Sequence, residues 1–202
     1  MTKSLSPRQS LNKAFLKVKP NRSGIDLFRK NLLHLFSQID KSESEEFHKN
    51  VVSGFLNQTY YSPAYYINTK GRNDLVIHTG KDAKTKVGVI IETKSPSNKN
   101  EMLSEKNINT KAFHELLLYY LRERIKHKNL EIKHLVATNI YEWFIFDAAL
   151  FEKHFGQNKE LIQKFTDFDE GRLAGKNTDF FYKEIAEPAI FVVKEDFSYT
   201  YF

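Results

Sequence analysis

Apolar residues recur at Ile25, Phe28, Leu32, Leu35, Phe36 and Ile39, a spacing that predicts a helix with one buried stripe. A second helix is predicted from Ser42, with Glu43, Glu45 and Glu46 in its first turn and Phe47, Val51, Val52 and Phe55 facing inward. The period then shortens towards two. Ala64–Ile67 reads as a short strand, Asn73–Thr79 as a second, Gly80–Thr85 as a polar turn, and Val87–Lys94 as the returning third strand. A long helix is predicted from Ser104 to Lys126, its buried stripe formed by Phe113, Leu116, Leu117, Tyr120 and Leu121. Ile132–Ala137 and Trp143–Asp147 read as two more strands around a turn at Asn139–Glu142. A helix over Ala148–Phe165, a charged loop over Asp167–Thr178, a helix ending near Pro188 and an extended aromatic tail complete the chain.

A three-strand meander that enters a crossover helix and then more strands defines an α/β fold, a mixed β-sheet with helices packed on its faces. Residues 1–23 read as a polar N-terminal arm with one short helix around Leu11–Val18. Residues 24–195 read as the folded body, and 196–202 as the start of a connection to a further C-terminal region. That expectation rests on the tail Ser198–Phe202, which reads as an exposed aromatic strand and hence an aggregation hazard if nothing follows it.

The 202 residues fit one domain able to bury a sizeable core. With no cysteine, disulfides, thiolate metal sites and cysteine nucleophiles are excluded, and a cytoplasmic setting is the default expectation. The first ten residues lack the apolar run of a signal peptide, and no apolar stretch approaches membrane-spanning length. The formal charge is +6, and residues 1–40 alone carry it, with eight Lys or Arg against Asp26 and Asp40. A basic arm on a neutral body suits a polyanionic partner, although a solvated leader would have the same composition.

The chemistry concentrates in the hairpin. In an unbulged pairing centred on Ala83, Asp74 lies across from Glu92, and Lys94, two residues on, points to the same face. Directly opposed side chains sit about 5 Å apart and diagonal ones about 7 Å, so two carboxylates and an ammonium would share one small volume. Like charges opposed in a buried hairpin are costly. A divalent cation with hard oxygen ligands would remove that cost, and magnesium also suits phosphate substrates. The string Glu-x-Lys is weak by itself: Asp82-Ala-Lys84 and Glu131-Ile-Lys133 have the same acid-x-Lys form without a partner acid across a hairpin. A salt-bridged pair at a strand end would explain Glu92 and Lys94 equally, but not the common facing of all three.

These residues resemble the PD-(D/E)XK nuclease superfamily, with Asn73-Asp74 standing for the first half of the motif and Glu92-Thr93-Lys94 for the second. Asn73 replaces the proline of the name, at a variable position that supplies no ligand. The segments Leu56–Tyr61, Ile91–Pro96, Ala112–Arg122 and Ala137–Asp147 are similar to the N-terminal endonuclease region of type IIG restriction-modification enzymes, a likeness that runs from about Leu56 to Pro188. The resemblance implies a restriction-endonuclease-like sheet with core order αβββαβ and Mg2+-dependent hydrolysis of DNA phosphodiesters, Mn2+ serving as a substitute. It implies that Asp74, Glu92 and the main-chain carbonyl of Thr93 hold the metal, and that Lys94 activates the water or stabilises transition-state charge. Double-stranded DNA is then the partner, with a transient dimer for cutting both strands and no membrane. Type IIG enzymes also methylate adenine using S-adenosylmethionine, but this chain lacks an Asn-Pro-Pro-Tyr motif and a glycine-rich cofactor loop, so methyl transfer and target recognition would belong to a missing C-terminal part.

Glu46, Lys111, His114 and Glu115 are further candidates on the flanking helices, each weighed against the plainer role of a solvated helix face. His114 stands out as a phosphate contact from the helix after Lys94. Two other functions stay open: a non-catalytic nucleic-acid-binding or scaffold module on the same fold, and an RNA-processing nuclease.

Overall fold

Along Leu75–His78 and Val87–Thr93 the side chains alternate between two cores, as the pleat requires. Val76 and Ile90 enter the larger core with the helix over Lys111–Leu121, whereas Leu75, Ile77 and Ile91 enter the smaller one with Leu35, Val52 and Leu56. The computed structural model describes residues 3–70 and 75–202. Within them the chain is a three-layer α/β arrangement around one mixed sheet of seven strands.

In chain order the strands are β1 (Lys3–Leu5), β2 (Ile67–Asn68), β3 (Leu75–His78), β4 (Val87–Thr93), β5 (His134–Thr138), β6 (Trp143–Asp147) and β7 (Ser198–Tyr201). They lie in the order β1-β7-β6-β5-β4-β3-β2. The meander β2-β3-β4 is antiparallel, β4 and β5 run parallel, and β6 and β7 follow antiparallel. The principal helices are α1 (Pro7–Ser10), α2 (Arg22–Ser37), α3 (Glu45–Leu56), α4 (Lys111–Leu121), α5 (Ala148–Phe151), α6 (Lys159–Asp169), α7 (Thr178–Phe180) and α8 (Glu187–Val193). The α2 and α3 helices cover one sheet face, and α4 crosses from β4 to β5 on the other.

The meander, the crossover helix and the strand pair of the sequence reading are all present. Several boundaries move, for local reasons. The long helix begins at Lys111 rather than Ser104, because Asn107 accepts a bond from the Asn109 amide and holds the preceding residues in a turn. The predicted helix over Ala148–Phe165 is two helices, since the chain breaks after Gly156 and Asn158 caps a new helix through the Leu161 amide. Pro188 opens α8 rather than ending a helix, a position where its missing N–H is harmless.

The tail differs most. It is not an exposed strand: β7 lies between β6 and β1, with Tyr199 only 2% exposed. The parallel β1–β7 pair runs Lys3 to Ser198, Ser4 to Tyr199 and Leu5 to Thr200, so part of the basic arm is an edge strand of the sheet. Leu11–Val18 contains only a short turn of 3-10 helix, Phe15–Lys17.

Candidate functional site

The hairpin register is the one that the sequence specifies near the site. Leu75 pairs with Ile91, Val76 with Ile90 and Ile77 with Val89, the same constant sum that would set Asp74 against Glu92. A bulge shifts the ladder by one only at the turn end, where His78 meets Val87. Asp74 itself, with Gly71, Arg72 and Asn73, lies outside the described residues.

Glu92 and Lys94 stand at the C-terminal end of β4 beside its parallel neighbour β5. Glu92 pairs with Ala137, Thr93 with Thr138, and the Lys94 amide donates to the Thr138 carbonyl at 2.8 Å. The C-terminal edge of adjacent parallel strands is where open α/β sheets place ligands. The turn that follows β5 is held tightly: Asn139 accepts from the Tyr141 and Glu142 amides, and Ile140 takes a positive φ of 78°, unusual for a β-branched residue.

Lys94 is 1% exposed, an extreme burial for an ammonium, and four carboxylates surround it. Its Nζ lies 2.7 Å from Glu92 Oε1, 2.6 Å from Glu115 Oε2, 3.3 Å from Glu45 Oε1 and 3.8 Å from Glu101 Oε2. Each acid comes from a different element: β4, α4, the first turn of α3 and the loop before α4. Lys111 Nζ binds Glu101 Oε1 at 2.8 Å, and the Tyr182 hydroxyl reaches Glu115 Oε1 at 3.4 Å. Thr93 is fully buried between the two charged residues of its tripeptide.

Burial alone would push the Lys94 ammonium down, but the carboxylates of Glu92 and Glu115 outweigh it and hold the group well above its ordinary value. Lys94 is therefore a fixed cation at neutral pH. Glu101 also feels burial, which would raise it; hydrogen bonds from Lys111 and Asn98 win and lower it. Among the described residues the cluster holds four carboxylates against the two ammonium groups of Lys94 and Lys111, a local excess of negative charge. Hard oxygen donors with that excess fit a divalent cation in chemistry. Among the described residues, however, no three His, Cys, Asp or Glu side chains are arranged to hold a metal ion, and Lys94 occupies the centre.

The flanking candidates divide. Glu115 belongs to the site, and Lys111 belongs to it through Glu101. Glu46 does not; its exposed carboxylate pairs with the buried Lys49 of the same helix, and its neighbour Glu45 reaches Lys94 instead. His114 is not a cationic phosphate contact: its Nε2 bonds Asn109 Oδ1 at 2.7 Å, and burial depresses its pKa to about 4, so the ring is neutral. His78 is structural, with one ring nitrogen bonded to the Thr85 carbonyl and the other to Asn68. Glu45, Glu101 and Tyr182 were missed. The Ser44 cap, which accepts from the Phe47 amide, fixes where α3 starts and puts position 45 in line with buried His48, Lys49, Val52 and Leu56.

Fold and site together define a mixed α/β domain with a buried ammonium–carboxylate cluster at the C-terminal edge of two parallel strands. The chain belongs to the DUF7149 family, a domain of unknown function, whose family model matches residues 5–202. Neither curated proteins nor solved structures gave a match. Among the described residues no helix is long and apolar enough to cross a membrane.

Proposed function

We propose that this domain is a magnesium-dependent endonuclease of the PD-(D/E)XK type acting on double-stranded DNA, in the manner of the type IIG nuclease region that its sequence resembles. One observation carries the proposal: Glu92 and Lys94 lie on one face at the buried end of the meander's third strand, with Nζ and Oε1 2.7 Å apart. The chain order α3, β2-β3-β4, α4, β5 matches the αβββαβ core of that superfamily, and the register of β3 on β4 is the one that would set Asp74 against Glu92.

In this reading Asp74, Glu92 and the Thr93 carbonyl hold the cation. When bound there, magnesium polarises a phosphoryl oxygen and makes a coordinated water more acidic. The rest falls to the chain's own residues. Lys94, kept protonated by its carboxylate partners, cannot remove a proton at neutral pH, so its role is to place positive charge against the phosphate as charge develops. Glu115 and Glu45 position that ammonium. The basic residues of the first forty, including Lys13, Lys17, Lys19 and Arg22, would add sequence-independent attraction to the DNA backbone. Target choice, and methyl transfer with S-adenosylmethionine, would be supplied by a region outside this chain, and two copies would meet transiently to cut both strands.

The test is nicking of supercoiled plasmid with Mg2+ or Mn2+ by the wild type and by Asp74→Ala and Glu92→Ala. Activity in the wild type alone supports the proposal, and equal activity in all three ends it. The second reading, a non-catalytic nucleic-acid-binding scaffold, is favoured by one feature: Lys94 is enclosed as in a structural ion-pair knot, 1% exposed. A scaffold would bind DNA without any divalent ion and show no ion binding dependent on Glu92.

A further inference from the structure

We propose that the trough between α2 and the N-terminal segment, on the sheet face opposite α4, is a docking groove for an acidic amphipathic helix of a partner protein. It is independent of the nuclease site. The stripe Ile25, Phe28, Leu32 and Leu35 of α2 is fully buried only at its far end: Leu35 is 3% exposed, whereas Ile25 and Phe28 are 45% and 38% exposed. Two clefts of about 240 and 480 Å3 open beside this helix and adjoin at Ile145 and Phe202, which line both. Phe28 and Leu32 stand on one wall, Leu5 and Leu11 on the other, and the floor runs from Val89 on β4 through Ile145 on β6 to Thr200 on β7.

Size and charge select the occupant. From β4 to β7 is three strand spacings, about 14 Å, and an α-helix with its side chains is about 10 to 12 Å across. The opposite face of these strands is already packed in the larger core, so a helix laid in the trough would complete the third layer over this half of the sheet. The chain joining the two walls, from Leu11 to Phe28, carries Lys13, Lys17, Lys19 and Arg22 at exposed positions, and Arg29 and Lys30 follow. The one acid in that stretch, Asp26, is paired with Arg22 at 3.1 Å. At the end of the floor Asp147 accepts from the Ala149 amide, and exposed His134 lies opposite it on β5.

An apolar floor with a positive rim matches a helix that has Leu or Phe at i, i+3, i+4 and i+7 and Glu or Asp beside them. A second copy of this chain would bring the same positive rim against itself. A nucleic-acid backbone has the charge but no apolar stripe to bury here.

The test is fluorescence anisotropy of the full chain with a labelled helical peptide of about 18 residues, Leu on one face and Glu on the other. Its controls are the same peptide with Lys for every Glu and a scrambled sequence. The Glu peptide should bind about tenfold more tightly than either control, and its affinity should fall as salt rises. Leu11→Ser and Phe28→Ser, one on each wall and both at exposed positions, should each weaken it about tenfold. Phe191→Ser, exposed on α8 and away from the trough, should leave it unchanged, and neither wall variant should alter binding of a duplex oligonucleotide.

No binding of the Glu peptide, equal binding of the Glu and Lys peptides, or binding that both wall variants leave intact overturns the proposal. So does dimerisation that Phe28→Ser abolishes, which would assign the trough to a second copy. Loss of oligonucleotide binding in both wall variants overturns it too, in favour of nucleic acid. Where a wall variant fails to fold by circular dichroism, the other variant and the charge contrast in the wild type decide.

Discussion

Glu115 Oε2 lies 2.6 Å from Lys94 Nζ, and both residues are buried, so one contact fastens α4 to the end of β4. Helix α4 is covered on both sides, by the sheet and by the segment Phe181–Ala186, and its polar residues are not a solvated face. Removing Glu115 takes from the buried Lys94 ammonium the closer of its two tightly paired carboxylates and leaves Glu92 as the other. Glu115→Ala is therefore expected to lower stability by about 2 kcal/mol, whereas Glu160→Ala, at the exposed pair with Lys164, should leave it almost unchanged. Urea unfolding of the two variants checks the contrast, and equal midpoints would show that the cluster carries no structural weight.

Stability should fall as pH drops below about 6.5. Burial lowers the pKa of His114 from 6.5 to about 4, so between these values the unfolded chain takes up a proton that the folded chain does not. The loss is complete below about 4, because His114 is then protonated in both states, and it amounts to roughly 3 kcal/mol. At neutral pH the group contributes nothing to the slope. His114→Gln should remove that part of the acid limb in urea titrations at pH 4 to 7, and an unchanged limb would place its origin elsewhere.

Much of the site's scaffold was legible in the sequence, and the illegible part has a common cause. The β3–β4 register could be read because Leu75–Ile77 and Val89–Ile91 fix which side chains face which core, and a slip would invert them all. Lys94 and Glu92 followed from the two-residue period. Glu45, Glu101 and Tyr182 did not, because they reach the site from a helix start, a loop and a C-terminal segment brought in only by tertiary packing. Choosing Glu46 over Glu45 was an error of helix phase: one residue turns the side chain by about 100°. The tail was misread because its partner strand Lys3–Leu5 lies at the other end of the chain, beyond any local pattern.

The C-terminal strand should behave as core. Tyr199 is 2% exposed and packs against Phe144 and Phe146, with ring centroids 5.2 and 5.5 Å away. Tyr199→Ala is expected to cost about 3 to 5 kcal/mol, and thermal unfolding should show it. A loss under about 1 kcal/mol would mean that β7 is a detachable appendage.

Gly156→Ala should disturb a second polar cluster. A Cβ at Gly156 would come 2.6 Å from the Tyr120 hydroxyl, which donates to Glu152 at 2.7 Å while Arg124 holds the same carboxylate. Overpacking of this kind costs about 1 to 3 kcal/mol, and the loss should be smaller in a Tyr120→Phe background, which a double-mutant cycle would measure.

The most direct test of the nuclease site is crystallographic: crystals of the chain soaked in Mn2+, with anomalous scattering used to locate the ion. The expected result is a peak bound by Asp74, Glu92 and the Thr93 carbonyl. Density that keeps Asp74 away from Glu92, with no ion between them at saturating Mn2+, would contradict the metal-dependent nuclease assignment.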